Sequence, residues 1–256
     1  MKLTALYTLF NGTDQLTRSL KEIIPLVDDV IFGVQDISNT GYSIEPVDSD
    51  MILRAQSIYS AKIVKYNTDA SLNPKENERR KLQLMINTAR ERGATHFVLL
   101  AGDHIYKCEE FKAAKDYLTL YPSIDVSLTK MYTYFKHPTW RLQPIEEYYM
   151  PFICRIYPDT VVTASNNYPV VVDPSVRIEP AHKFYQFKES EIMLHHFSMV
   201  RNDIGSKFRN AAAAQNWPHK ITQFIDEYNH YDIKENPGVT YFKGRKIKIV
   251  PNLFEL

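Results

Sequence analysis

Ala94-Thr95-His96-Phe97-Val98-Leu99-Leu100-Ala101-Gly102-Asp103-His104-Ile105-Tyr106 is the stretch on which the fold turns. Its apolar run has the length of a strand and lies between Gly93 and Gly102, with no polar alternation. That is the pattern of a strand buried on both faces, as parallel sheets contain. In open α/β sheets ligands bind in the crevice outside the carboxyl ends of the strands. Asp103 and His104 stand at such an end.

Upstream, the spacing predicts repeated strand-helix units. Leu3 to Phe10 reads as a strand stopped at Asn11-Gly12, and Gln15 to Ile24 as a helix on Leu16, Leu20, Ile23 and Ile24, with Asp14 as its N-cap and Pro25 as its end. Val30 to Val34 is a second buried strand running into the polar loop Gln35-Asp36-Ile37-Ser38-Asn39. A short helix over Ile52 to Ser60 and a lysine-flanked strand over Ala61 to Tyr66 follow. Asn73-Pro74-Lys75-Glu76 has the marks of a helix start, with Asn as N-cap and Pro at the first helical position. Leu82, Met85, Ile86 and Ala89 continue that helix at i, i+3, i+4, i+7 until Gly93 stops it.

Downstream, a helix is expected from Glu109 to Tyr121 and an alternating strand from Ile124 to Leu128. Residues 131–181 carry aromatics and prolines in short extended pieces, consistent with a smaller mixed sheet or ligand-shaping loops. Helices are expected over Asn202 to Gln215 and His219 to Tyr231, and a terminal hairpin runs from Val239 through a Lys243-Gly244-Arg245 turn to Val250. The fold class is therefore α/β: a Rossmann-like, mostly parallel central sheet flanked by helices, with a smaller β region. One domain is expected over residues 1–256, divided into a first half, 1–106, and a second, 107–256.

Composition narrows the partners. With 31 basic and 30 acidic residues the net charge is +1, so no overall field favours nucleic acid or an anionic membrane. Two cysteines, Cys108 and Cys154, are too few and too far apart for a disulfide framework or a thiolate zinc site. No leader or membrane span stands out, so a cytoplasmic protein is expected. Only 8 glycines are present, and none forms a phosphate-binding glycine-rich loop.

Four polar clusters carry the chemistry to be tested. They are Asp103-His104; Asp36 with Ser38 and Asn39; His195-His196; and Arg79-Arg80 early in the long helix, with Arg201 and Lys207 after the histidines. Each has a plain structural alternative: a capped turn, a polar loop, a buried hydrogen-bonded histidine and a solvated face. Adjacent histidines in a strand point to opposite faces, so at most one comfortably joins a given site.

Their order along the chain resembles that of the GT-A glycosyltransferases, especially the family 2-like branch. The likeness covers Met1 to Tyr106 by pattern and Glu191 to Asn210 by the phrase His195-His196-Phe197-Ser198-Met199-Val200-Arg201. It implies a GT-A fold whose residues 1–106 hold the nucleotide and whose residues 107–256 form the acceptor side. The implied activity is transfer of a sugar from a UDP- or GDP-type donor to an acceptor hydroxyl. The family's DxD motif is represented by Ala101-Gly102-Asp103, which retains only the last Asp. The implied metal, Mn²⁺ or Mg²⁺, would be held by Asp103 with His195 or His196 as the late ligand. Thr8, Asn11, Asp36 and Arg80 would line the nucleotide pocket, and Arg201 and Lys207 would offset diphosphate charge. An inverting enzyme also needs a general base; Glu146 and Glu147, among Trp140, Tyr148 and Tyr149, lead over Asp159 and Asp173.

The acceptor is open. A hydroxymethylated base of bacteriophage DNA is one variant, to be met by Lys130, Lys136, His137, Trp140, Arg141 and Arg155. Two other classes compete: a metal-dependent hydrolase on Asp103, His104, His195 and His196, and a noncatalytic nucleotide- or nucleic-acid-binding module.

Overall fold

The computed structural model describes residues 1–210, 218–235, 238–239 and 245–256. Its first half runs β1 (Leu3–Leu9), α1 (Leu16–Ile23), β2 (Asp29–Val34), α2 (Pro46–Tyr59), β3 (Lys62–Lys65), α3 (Pro74–Glu91) and β4 (His96–Ala101). The four strands are parallel and lie in the spatial order β3-β2-β1-β4. Strand alternation splits the core between the two faces of this sheet. Tyr7 and Leu9 of β1 and Val98 and Leu100 of β4 pack with Leu16, Leu20 and Ile23 of α1. Leu6, Phe97 and Leu99 point the other way, onto Leu82, Met85, Ile86 and Ala89 of α3. Each such side chain contributes about 1.5–3 kcal/mol when fully buried, so β1 and β4, packed on both faces, anchor the sheet.

Local signals explain most boundaries. The Asn73 side chain accepts from Glu76 N at 2.9 Å and caps α3. Two starts differ from expectation. Helix α2 begins at Pro46 rather than near Ile52, because Pro46 supplies a preset first-turn φ that apolar periodicity does not report. Asp14 does not cap α1; Leu16 N instead bonds to Thr13 O at 2.9 Å. The buried Asp48 of α2 takes over the loop before it, its Oδ1 accepting from Gly12 N (2.9 Å), Thr13 N (2.9 Å) and Thr13 Oγ1 (2.8 Å).

The second half runs β5 (His104–Ile105), α4 (Cys108–Leu120), β6 (Val126–Thr129), β7 (Met131–Phe135), β8 (Trp140–Gln143), β9 (Met150–Arg155), β10 (Val161–Thr163), β11 (Arg177–Glu179), β12 (Phe184–Gln186) and β13 (Leu194–Met199). After them come α5 (Ile204–Asn210), α6 (Pro218–His230), β14 (Gly238–Val239) and β15 (Arg245–Ile249). Strands β9, β6 and β12 extend the main sheet beyond β4, with β9 antiparallel to both β4 and β6. A second sheet has the order β14-β15-β8-β7-β13-β5. The end of the helix expected to reach Gln215, and residues 240–244 of the expected hairpin, lie outside the described residues. Among the described residues no helix is long and apolar enough to cross a membrane.

Candidate active site

The main sheet reverses its strand order between β1 and β4, and at such a switch point the loops leaving the two strands part to form a crevice. A cavity of about 360 Å³ opens there, lined by Thr8 to Gly12 after β1, Gln35, Ser38 and Asn39 after β2, and Ala101 to His104 after β4. Lys81 of α3 and Arg201, Ser206 and Lys207 at and beyond the end of β13 close it from the sides.

Strand pairing builds the centre of the cavity. The chain turns at Gly102 and re-enters as β5, which pairs antiparallel with β13 so that His104 faces His196 and Ile105 faces His195. Phe197 N donates to Asp103 O at 2.9 Å and fixes that register. His104 and His196 thus lie edge to face, ring centroids 4.9 Å apart, with Asp103 beside both. Asp103 Oδ1 is 3.9 Å from His104 Nε2 and 3.8 Å from His196 Nε2, while its Oδ2 accepts from Arg201 Nη2 at 2.7 Å. One ligand atom from each of Asp103, His104 and His196 falls within 4.8 Å of the others, the one such trio among the described residues.

Charge in the cavity is set by burial and by opposing neighbours. Burial by itself raises the Asp103 carboxyl, but Lys207, His196, Arg201 and His104 outweigh it and hold the group below the usual carboxylate range. Burial lowers both imidazoles against the pull of Asp103, His196 to about 3, so the rings are neutral at pH 7. The Lys207 and Lys81 ammonium groups are also lowered by burial, opposed by Asp103 and Glu78 respectively. Burial raises Glu78, which faces Lys81 and Asp173.

Of the residues singled out from sequence, Thr8, Asn11, Ser38, Asn39, Asp103, His104, Tyr148, Asp173, His196, Arg201 and Lys207 line the cavity. Asn11 bridges two elements: its Nδ2 donates to Ser206 Oγ at 2.9 Å and its Oδ1 accepts from Glu45 N at 3.0 Å. The others lie elsewhere. His195 points to the opposite face of β13, its Nδ1 2.8 Å from Tyr134 Oη and its ring packed edge-on against Phe254; the pleat that brings His196 in turns His195 away. Asp36 is exposed and pairs with Lys65 at 3.1 Å, because the residue turned inward after β2 is Gln35. Arg80 faces out toward Glu76 and Asp69. Glu146 is gripped by Arg245, whose Nη2 donates at 2.7 Å, and Glu147 is exposed; neither lines the cavity. Asp159 borders a separate cavity, whereas Asp173 reaches this one with its Oδ1 held by Ser175 N (2.8 Å) and Ser175 Oγ (2.7 Å).

Sequence reasoning passed over Gln35, Glu78 and Lys81. Lys81 Nζ donates to Gln35 Oε1 at 2.5 Å inside the cavity. A signal existed for the lysine: Lys81 shares the i, i+4, i+8 stripe of Met85 and Ala89, where a charge on an apolar face needs a partner.

No protein-family model matches the chain, and no curated protein does. Among solved structures it is similar to S. aureus TarS 1–349, at 12% identity over 93% of this chain and 77% of that one, with a TM-score of 0.47. TarS 1–349 in complex with UDP-GlcNAc matches at 13% identity over 91% and 74%, TM-score 0.45. Glucosyl-3-phosphoglycerate synthase from Mycobacterium tuberculosis in complex with Mg²⁺ and UDP matches at 15% identity over 52% and 43%, TM-score 0.35. Likeness at this level speaks to no substrate, and the chemistry of the cavity has to carry the function.

Proposed function

We propose that this protein is a metal-assisted glycosyltransferase of GT-A type that moves a sugar from a nucleoside-diphosphate sugar to an acceptor hydroxyl. The observation that carries the reading is one cavity, at the sheet's switch point, in which a carboxylate and two imidazoles converge beside the buried cations Arg201 and Lys207. A diphosphate needs that combination, since a dication and fixed cations neutralise it as it leaves. Asp103, His104 and His196 have the donor atoms and the mutual spacing to hold a dication, whose contribution would be charge neutralisation on the departing diphosphate.

The remaining roles follow from position. Thr8, Gln35, Ser38 and Asn39 lie at the β1 and β2 end of the cavity and take the nucleoside; Arg201, Lys207 and Asn11 take the diphosphate. The acceptor oxygen attacks the anomeric carbon, the bond from that carbon to the diphosphate oxygen breaks, and the nucleoside diphosphate departs. Asp173, whose Oδ2 is free of the Ser175 contacts that hold Oδ1, accepts the hydroxyl proton in an inverting reaction. In this reading the base is Asp173 rather than Glu146 or Glu147.

A DNA acceptor draws no support from the residues named for it. Lys136 Nζ donates to three carbonyls, those of Tyr228, Asn229 and Tyr231; Arg141 stacks on Tyr132; and Arg155 bonds to Pro122 O. Cations tied to their own chain are poor phosphate ligands, and a small or oligosaccharide alcohol is the better acceptor class. A thermal-shift panel of nucleotides with Mn²⁺ tests the reading: UDP or GDP should raise the melting temperature. Stabilisation by metal with no response to any nucleotide would instead favour the hydrolase class.

A further inference from the structure

A second cavity, of about 370 Å³, shares no lining residue with the first. It is formed by β11, the segment Pro180 to His182 and the edge strand β12, and one wall of it is aromatic. The Tyr168 hydroxyl accepts from Ile178 N at 2.7 Å and donates to Ile178 O at 3.2 Å, so the hydroxyl is taken up by the backbone of β11 and the ring is what Tyr168 offers to a ligand. The Phe184 ring stands 4.9 Å away, centroid to centroid, at 57°. Both rings stay half-buried although they pack against the core. Polar groups surround them. Asp159 and His182 are exposed, with side chains that hydrogen-bond to no described residue, and Glu179 has one oxygen held by Asn167 Nδ2 at 3.2 Å and the other free.

The lining selects among ligand classes. Two carboxylates with no lysine or arginine beside them repel an anion. Asp159, Glu179 and His182 do not converge on an ion either, since the one trio with that spacing among the described residues lies in the first cavity. A wholly apolar molecule would strip water from the carboxylates and put nothing in its place. An organic cation would answer their charge, but an ammonium group only donates and would leave the N–H groups of Asn167 and His182 without an acceptor. A hydroxyl both donates and accepts, and a sugar ring carries hydroxyls on its rim and an apolar C–H face that an aromatic ring can cover. We propose that this second cavity is a saccharide-binding subsite, in which Tyr168 and Phe184 cover the face of a sugar ring while Asp159, Glu179 and His182 hold its hydroxyls. Strand β11 relates it to the first cavity: Val176 lines one and Glu179 the other, about 10 Å apart at about 3.3 Å per residue. At that spacing the subsite suits a remote unit of an oligosaccharide acceptor, a role that rests on the transferase reading.

The test follows the backbone amide resonances of the isotope-labelled chain by NMR in titrations with cellobiose, maltose, N,N′-diacetylchitobiose and choline, and separately with UDP and GDP in the presence of Mg²⁺. At least one disaccharide should saturably shift Tyr168, Ile178, Glu179, His182 and Phe184. Asp159→Ala, at an exposed position, should weaken that binding at least about fivefold. Phe184→Leu, which keeps an apolar side chain there, should weaken it as well. No response to any disaccharide, shifts confined to the first cavity, a response to choline alone, or unchanged affinity in both variants overturns the proposal, and the first three readouts need no variant to fold. Saccharide binding at the second cavity without any response to UDP or GDP would keep the subsite and remove the transferase reading. Nucleotide binding with no saccharide response at the second cavity would do the reverse.

Discussion

Replacing Gly12 by alanine would set a methyl group 2.6 Å from Arg201 Nη2 and 2.7 Å from its Cζ, with Nη1 closer still. Gly12 also has φ +85°, where an L side chain costs about 1–2 kcal/mol. Gly41 supplies the control, since it has φ +93° and nothing within 4 Å of an added Cβ, so Gly41→Ala isolates the backbone cost. The Arg201 side chain is 6% exposed and its guanidinium lines the cavity, so it makes room for the methyl group by shifting into that space and away from its bond to Asp103. A charge-assisted hydrogen bond of this kind is worth about 1.5–3 kcal/mol. Gly12→Ala should therefore destabilise by about 2.5–5 kcal/mol in urea denaturation, against about 1–2 kcal/mol for Gly41→Ala. Because Arg201 is also a diphosphate ligand in the proposed function, Gly12→Ala should weaken nucleoside-diphosphate binding at least about tenfold, equivalent to 1.4 kcal/mol. Equal destabilisation by the two substitutions, or unchanged nucleotide affinity in Gly12→Ala, would refute the coupling of this loop to Arg201.

Three further outcomes are expected. Asp48→Ala removes the acceptor of three hydrogen bonds from Gly12 and Thr13 and should cost about 3 kcal/mol, with partial recovery in Asp48→Asn, read by denaturation midpoints. Asp173→Asn should lower turnover of the nucleotide sugar by about 10²–10⁴ while sparing nucleotide binding; Glu146→Gln should instead lower stability, by about 1–3 kcal/mol, because it strips Arg245 of its charge partner. Burial, with Arg155 nearby, lowers His96 from 6.5 to about 4, so the unfolded chain takes up this proton first. The folded state is then unaffected by this residue above pH 6.5 and loses stability as pH falls from 6.5 toward 4. The loss amounts to about 2 kcal/mol after allowance for the partly exposed ring, and His96→Gln should flatten that part of the stability profile.

Residues whose environment is set by near neighbours along the chain are legible in the sequence alone. The Phe97 to Ala101 run, the Asn73 cap and the apolar stripe of α3 each follow from local spacing, and together they define the parallel half of the sheet. The pleat likewise requires that His195 and His196 part company, although spacing does not say which one turns inward. The β5–β13 register decides that, through a pairing between residues about ninety positions apart, and it also carries His104 to the site. Asp36 and Gln35 differ by one step of strand alternation at a boundary, where local pattern is weakest. Glu146 has the marks of a base because it is acidic and sits among aromatics; its partner Arg245 comes from the far end of the chain.

The proposed function stands on Asp103 organising a metal-assisted nucleoside-diphosphate site at the β1/β4 switch point. Calorimetric titration of the Mn²⁺-loaded chain with UDP and with GDP, in wild type and Asp103→Asn, addresses it directly. Saturable binding of at least one of the two nucleotides is expected of the wild type, and at least about tenfold weaker binding of the variant. Absence of binding to both by the wild type, or the same affinity in Asp103→Asn, would contradict it.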